Sequence, residues 1–315
     1  MSTTSSPQYD WNPLEVVESA VVAGQVPRSK YGCDLKYAII LLNQQVLNEE
    51  LFLSLWNEAS LRMLVDGGGN HWKFLSRKFP DLVQFPHVVC GNFDSIRRDT
   101  LEMLRRRGGP GSELGDGDED VVEIVHFHHE EKSSSESDFM QAVNLPIFGE
   151  RLSSLQIPRV LAYCETSGRF GQIMANVETL YKFGKKEPQL FLISSSSITF
   201  LLPAGRHKIK CGERGHEFLK ISHCALLPIG TECTVSTEGL VNDLKNETLS
   251  FGKAVLTNAT VVGIGSKEAD QKRSNDHDKS HAAEHDQYVI VLVTNSHPVL
   301  WDMEFEFDNQ LKNVW

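Results

Sequence analysis

The 315-residue chain reads as two folding units of different class. The first is a doubly wound, mostly parallel α/β sheet with helices, and the second an antiparallel β-sandwich. Three observations predict this. Short apolar runs alternate with helical periods up to about residue 195, helical periodicity stops from about Ser197, and the later runs are separated by Gly, Pro and Asn. The expected division is a flexible N-terminal tail over 1–30, an α/β domain over 31–195, and a sandwich over 196–315 that carries a disordered insertion over 266–287.

Each element has its own signal. Tyr37–Leu42 is a compact apolar run and reads as a strand. Leu47–Glu58 places Leu51, Leu55, Phe52 and Trp56 at helical spacing. Arg62–Val65 is a second strand, ending at Asp66-Gly67-Gly68-Gly69 with a helix from about Asn70 to Lys78. Phe85–Cys90 is a third, ending at Gly91-Asn92-Phe93-Asp94, with a helix over Ile96–Arg107. Val121–Phe127, Arg159–Cys164 and Leu190–Ser194 complete the strands, with helices opening at Asp138 and Phe170. Beyond 195, the runs Ile198–Leu202, Cys224–Pro228, Cys233–Ser236, Ala259–Gly263 and Tyr288–Thr294 read as sandwich strands, and Trp301, Phe305 and Phe307 alternate as core residues. Gly108–Asp120 reads as a surface loop, and the charged 266–287 segment has too little apolar area to offset its ordering entropy.

Composition narrows the function. A net charge of −11 argues against a general nucleic-acid binder. No stretch approaches the roughly 20 apolar residues that span a bilayer, and Met1–Asp10 lacks the basic and apolar regions of a secretory signal. None of the six cysteines forms a Cys-x-x-Cys pair, and several sit in apolar runs, so reduced buried thiols in a cytoplasmic protein are expected. His277, His281 and His285 fall in the charged insertion and read as a solvated run; His126 and His128 carry no zinc spacing and read as structural or surface residues.

In a parallel sheet, the loops after the strands converge on one edge, where ligands bind. Four of those loops here carry small or acidic residues: Asp66 to Gly69, Asn92 with Asp94 and Ser95, Ser137 with Asp138, and Gly168 with Arg169. Glycines let backbone approach a phosphate. Carboxylates from separate loops can share a magnesium ion. No Gly-x-x-x-x-Gly-Lys-Ser/Thr loop and no strand-following Gly-x-Gly-x-x-Gly is present, which sets aside P-loop kinases and Rossmann dehydrogenases.

The ordered motifs resemble those of the thiamine pyrophosphokinase family. Asp66-Gly67-Gly68-Gly69-Asn70, Gly91-Asn92-Phe93-Asp94-Ser95-Ile96, Ser137-Asp138-Phe139 and Gly168-Arg169-Phe170-Gly171-Gln172-Ile173-Met174-Ala175 carry the likeness in the first unit. Leu227-Pro228-Ile229-Gly230, Thr237-Glu238-Gly239-Leu240, Leu249-Ser250-Phe251-Gly252 and His297-Pro298-Val299-Leu300-Trp301 carry it in the second. The resemblance implies transfer of the pyrophosphoryl group of ATP to the hydroxyl of thiamine, with magnesium, in a homodimer whose site lies between subunits. It implies that Asp94 and Asp138 hold the metal and act in catalysis with Arg169. Asp66, Gly67, Gly68, Asn70, Asn92, Ser95 and Gln172 would face the nucleotide, and Asn242 and Asn258 the thiamine.

Several positions depart from the family pattern, the segment Ser133–Glu136 among them. Asn92 and Gly171 stand where it has aspartate, Asn242 where it has tryptophan, and Asn258-Ala259 where it has Ser-Asn. The residues therefore leave open an active kinase, a catalytically impaired relative that binds nucleotide or thiamine or partners an active homologue, and a kinase for another hydroxylated acceptor.

Overall fold

The computed structural model describes residues 7–25, 35–108, 121–127, 136–184, 187–213, 219–262 and 288–307. The chain divides into two compact units, 19–195 and 196–315 with 1–18.

Unit 19–195 is built on six parallel strands: β2 (Ala38–Leu41), β3 (Leu61–Val65), β4 (Val88–Gly91), β5 (Glu123–His126), β6 (Arg159–Tyr163) and β7 (Gln189–Ile193). Their order is β7-β6-β2-β3-β4-β5, with every neighbouring pair parallel. Parallel strands covered on both faces favour unbroken apolar runs, and Ala38-Ile39-Ile40-Leu41 is buried at every position. The chain steps outward from β2 to β5, then returns to lay β6 on the other side of β2. The order therefore reverses between β6 and β2.

The helices follow local rules. Helix α2 (Glu49–Glu58) opens at Asn48, whose side chain accepts the Leu51 N–H at 3.0 Å. It buries Leu51, Phe52, Leu55 and Trp56. Trp56 and Trp72, on α2 and α3 (Gly68–Lys78), both donate their indole N–H to the Gln84 carbonyl, at 2.8 and 3.1 Å. Helix α4 spans Arg98–Gly108, α5 Asp138–Val143 and α7 Phe170–Phe183. Helix α6 (Pro146–Ser154) was not expected; Pro146 opens it, because proline is tolerated in the first turn where its missing N–H has no partner to lose.

The other unit is a sandwich of two sheets. One runs β1-β9-β14-β11-β12 and the other β13-β10-β15-β8. The strands are β1 (Gln8–Trp11), β8 (Ser197–Leu202), β9 (Gly205–Glu213), β10 (Leu219–Leu227), β11 (Cys233–Glu238), β12 (Glu247–Leu249), β13 (Leu256–Ala259), β14 (Tyr288–Asn295) and β15 (Val299–Phe307). All pairs are antiparallel except β1 with β9. The sheets meet through Trp11 and Phe200, whose rings lie 4.8 Å apart, and through the Cys211 and Met303 sulfurs at 3.8 Å. Trp301 and Phe305 are buried as alternation predicts.

Where the sequence reads as a flexible tail over 1–30, the described residues 7–25 hold β1 and the helix α1 (Glu15–Gln25). Trp11 explains the hold: it is buried, and its indole N–H donates to Nδ1 of His207 at 3.0 Å. Tyr9 stacks on the same imidazole at 5.0 Å, and His207 Nε2 lies 2.8 Å from the Pro203 carbonyl, to which it donates.

Cys90, Cys164, Cys211, Cys224 and Cys233 are free and buried, and Cys33 lies outside the described residues. So do 266–287, His128, and all of 108–120 except Gly108, which ends α4. No described helix is long and apolar enough to cross a membrane.

Candidate functional site

The site is assembled at the carboxyl ends of β3 and β4. Asp66 follows β3 with φ 44°, a left-handed conformation unusual for a residue with a side chain. Its N–H donates to the Cys90 carbonyl at 2.8 Å. Its carboxylate accepts the N–H of Ile96 at 3.1 Å and of Ser95 at 3.3 Å. Burial raises the Asp66 carboxyl above the usual carboxylate range; the adjoining Asp94 carboxyl adds to the rise, and the Ile96 and Ser95 donors oppose it.

The loop after β4 is held from both sides. Phe93 sits at φ 59°. The Asn92 side chain accepts the Asp94 N–H at 3.1 Å through Oδ1 and donates to Asp94 Oδ2 at 3.2 Å through Nδ2. The Ser95 hydroxyl donates to Asp94 Oδ1 at 2.8 Å. From α3, Asn70 donates to the Ser95 carbonyl at 2.9 Å and accepts the Arg97 N–H at 2.8 Å. Asn70 thus spends both ends of its amide on the loop backbone.

The adjacent glycines are small for reasons internal to the fold. A Cβ at Gly67 would collide with the Asn43 side chain, and one at Gly68 with the Leu41 carbonyl. These two glycines let the start of α3 pack against the end of β2. Gly171, by contrast, has open space around a Cβ, with nothing within 4 Å.

Asp138 is the first residue of α5, behind the cap in which Ser137 Oγ accepts the Met140 N–H at 3.2 Å. The Cys90 thiol, at the end of β4, is pushed up by burial and then by the charges of Asp138 and Asp66. Helix α5, which opens at Asp138, packs on β3 and β4. Arg169 lies at the same edge beyond β6, exposed at the N-cap of α7, after Gly168 at φ 95°. Gln172 stands half-buried in the first turn.

Asn242 and Asn258 belong to the sandwich unit, and both are exposed. Leu240 bridges to Val261, and the Val241 N–H donates to Thr260 O at 2.9 Å, which sets the segments carrying the two asparagines side by side. Asp243 fixes that turn by accepting the Leu240 N–H at 2.8 Å.

The structure therefore joins Asp66, Asn70, Asn92, Asp94 and Ser95 by direct contact, adds Asp138 at the start of the helix packed on β3 and β4, and sets Arg169 and Gln172 along the same edge. Two further residues went unread in the sequence. Asn43 fills the space against Gly67, and Glu165 is buried at the end of β6. The position of each directly after an apolar run was the only available signal. Among the described residues, no three His, Cys, Asp or Glu side chains are arranged to hold a metal ion by themselves. Asp66 and Asp94, both bonded to Ser95, offer the carboxylate oxygens that magnesium takes, one or two protein carboxylates being completed by phosphate oxygens and water.

Residues 52–192 match the family described as thiamin pyrophosphokinase, catalytic domain, and residues 206–262 match thiamin pyrophosphokinase, vitamin B1 binding domain. Thiamine pyrophosphokinase 1 of Oryza sativa subsp. japonica is 30% identical over 235 residues, covering 71% of this chain and 80% of that one. Thiamine pyrophosphokinase 2 of Arabidopsis thaliana is 29% identical over 239 residues, covering 73% and 80%. Among solved structures, yeast thiamin pyrophosphokinase aligns at a TM-score of 0.65 and 18% identity, covering 97% of this chain and 94% of that one. That of Candida albicans aligns at 0.62 and 16%, covering 97% and 95%, and both share the fold. With domain matches along both units and a relative at this identity, the chain belongs to the thiamine pyrophosphokinase family.

Proposed function

We propose that this chain transfers the pyrophosphoryl group of ATP to the hydroxyl of thiamine, giving thiamine diphosphate and AMP. The observation that carries this reading is the pair of carboxylates Asp66 and Asp94, in the loops after adjacent strands and both bonded to Ser95, with Asp138 opening the helix that packs on those strands. In the reaction, the thiamine oxygen bonds to the β-phosphorus of ATP while the bond from that phosphorus to the α–β bridging oxygen breaks. The hydroxyl proton is released, and AMP leaves with the bridging oxygen.

Transfer of this kind depends on positioning and on charge stabilisation. Asp94 and Asp138, with Asp66 next to them, would hold magnesium, which when bound neutralises phosphate charge. Asn92 and Ser95 fix the Asp94 carboxylate by the hydrogen bonds described above. Arg169, exposed at the strand edge, would meet charge on the transferring group, with Gln172 behind it. Asn242 and Asn258 would face thiamine from the sandwich unit, and a homodimer with the site between subunits belongs to this reading, as do the domain limits 31–195 and 196–315. The buried free thiols support a reducing, cytoplasmic setting.

The test is direct. Purified protein with ATP, magnesium and thiamine should release AMP and form thiamine diphosphate, and omitting thiamine should abolish AMP release. Absence of both products at high protein concentration rejects the reading.

A further inference from the structure

Glu165 follows β6 with 6% of its surface exposed. A buried carboxylate needs donors for its lone pairs, and here they come from neighbouring strand ends. Oε1 accepts the Ser195 N–H at 3.2 Å and the Tyr163 hydroxyl at 3.4 Å. Oε2 accepts the Ser195 hydroxyl at 2.9 Å and its N–H at 3.4 Å. The Tyr163 hydroxyl also lies 3.4 Å from the carbonyl of Asn48, the residue that caps α2, so its single proton serves one acceptor or the other. One carboxylate thus ties the end of β6 to the end of β7 and, through Tyr163, reaches the loop after β2. Of these strands, β6 and β2 flank the place where the order of the sheet reverses, the usual position of a ligand crevice in such sheets.

Beyond Glu165 the chain is exposed from Thr166 to Phe170. Among the described residues, hydrogen bonding resumes only at the Arg169 carbonyl, which accepts from Gln172 at 2.9 Å and Ile173 at 3.3 Å. Arg169 has no side-chain cap bond. The four residues 166–169 are therefore fixed at their two ends, by Glu165 and by α7.

We propose that Glu165 is a positioning residue: by gripping Ser195 it anchors the root of the 166–169 loop and so holds Arg169 at the strand edge. The role of Arg169 in transfer rests on the function proposed above, whereas the anchoring does not. A glutamine at this position keeps the shape but removes the charge and one acceptor, which weakens the bonds from the Ser195 N–H and hydroxyl.

The experiment compares wild type, Glu165→Gln and Ser195→Ala by limited trypsin digestion of the native protein, with the cut after Arg169 followed by mass spectrometry. The cut after Lys245, exposed in the other unit, is the internal reference. Glu165→Gln should speed the Arg169 cut by about tenfold and leave the Lys245 cut within about twofold. Ser195→Ala, which keeps the N–H contact and loses the hydroxyl, should give a smaller increase at the same bond. Equal acceleration at both cuts, or none at Arg169, overturns the anchor. In the AMP-release assay, Glu165→Gln should lower kcat by about tenfold with KM for thiamine nearly unchanged, and it should have no further effect in an Arg169→Ala background. Additive losses overturn action through Arg169. An inactive wild type removes the proposed function, while the digestion still decides the anchor.

Discussion

A methyl group on Gly91 would lie 2.8 Å from Cβ of Asp66, on a backbone at φ 147° that side chains rarely adopt. Gly91→Ala should therefore cost about 1–3 kcal/mol of stability, read as a lower denaturant midpoint. It should also reduce AMP release, because the displaced atom belongs to a site carboxylate. Asp94 offers the opposite case. It is exposed, and its side chain bonds to its near neighbours Asn92 and Ser95. Asp94→Ala should leave the melting temperature nearly unchanged and lower AMP release by about 10²-fold or more. The two substitutions together separate what the loop needs in order to stand from what the reaction needs from it.

At the scale of elements, β1 joins the sandwich through its pairing with β9 and through Trp11 and its bond to His207. Trp11→Ala should cost about 3–5 kcal/mol, the range for removing a buried large aromatic; Trp11→Phe should cost about 1–3 kcal/mol by leaving His207 Nδ1 unpaired. Urea denaturation would measure both. Strand β1 was illegible because its pairing is with a partner 198 residues away, Gln8 against Arg206, and no local period announces such a bond. Strand β9 was missed for another reason. Arg206, Lys208 and Lys210 alternate with buried His207, Ile209 and Cys211, so the strand reads as polar unless its period of two is followed. The apolar runs of β2, β3, β4 and β6 were plain, because burial on both faces leaves few polar positions, Arg62 and Arg159 among them, to blur them. The same contrast holds in the site. Asp66 and Asp94 stand next to glycine or asparagine turns and were readable, whereas Glu165 depends on Ser195, 30 residues away.

Taken whole, the molecule carries histidines that resist protonation in both units, half-buried His87 in one and buried His207 in the other. In unit 19–195, His87 Nδ1 accepts the Arg62 N–H at 2.9 Å, and its Nε2 lies 3.1 Å from the Arg62 guanidinium. Burial, then the charges of Arg62 and Arg151, lower its pKa to about 4. In the sandwich unit, burial lowers that of His207, against the bond to the Pro203 carbonyl. A group whose folded pKa lies below its unfolded value of about 6.5 contributes stability above that pH. For His87 the contribution is lost as pH falls from about 6.5 toward about 4. The unfolding free energy should decline over that window, by at most about 1.4 kcal/mol per pH unit for each such histidine. His87→Gln should flatten the decline in a pH series of melting curves; an unchanged slope would refute the assignment.

The enclosed thiols bear on how the protein opens in solution. Burial pushes those of Cys164 and Cys224 up to about 12, so an alkylating reagent at neutral pH finds almost no thiolate while the fold is closed. Each cysteine is thus a clock for the breathing of its own neighbourhood. Cys90 and Cys164 keep time for one unit, and Cys211, Cys224 and Cys233 for the other. Mass-resolved alkylation would show which half of the protein loosens first on warming, and whether nucleotide slows one clock and not the other.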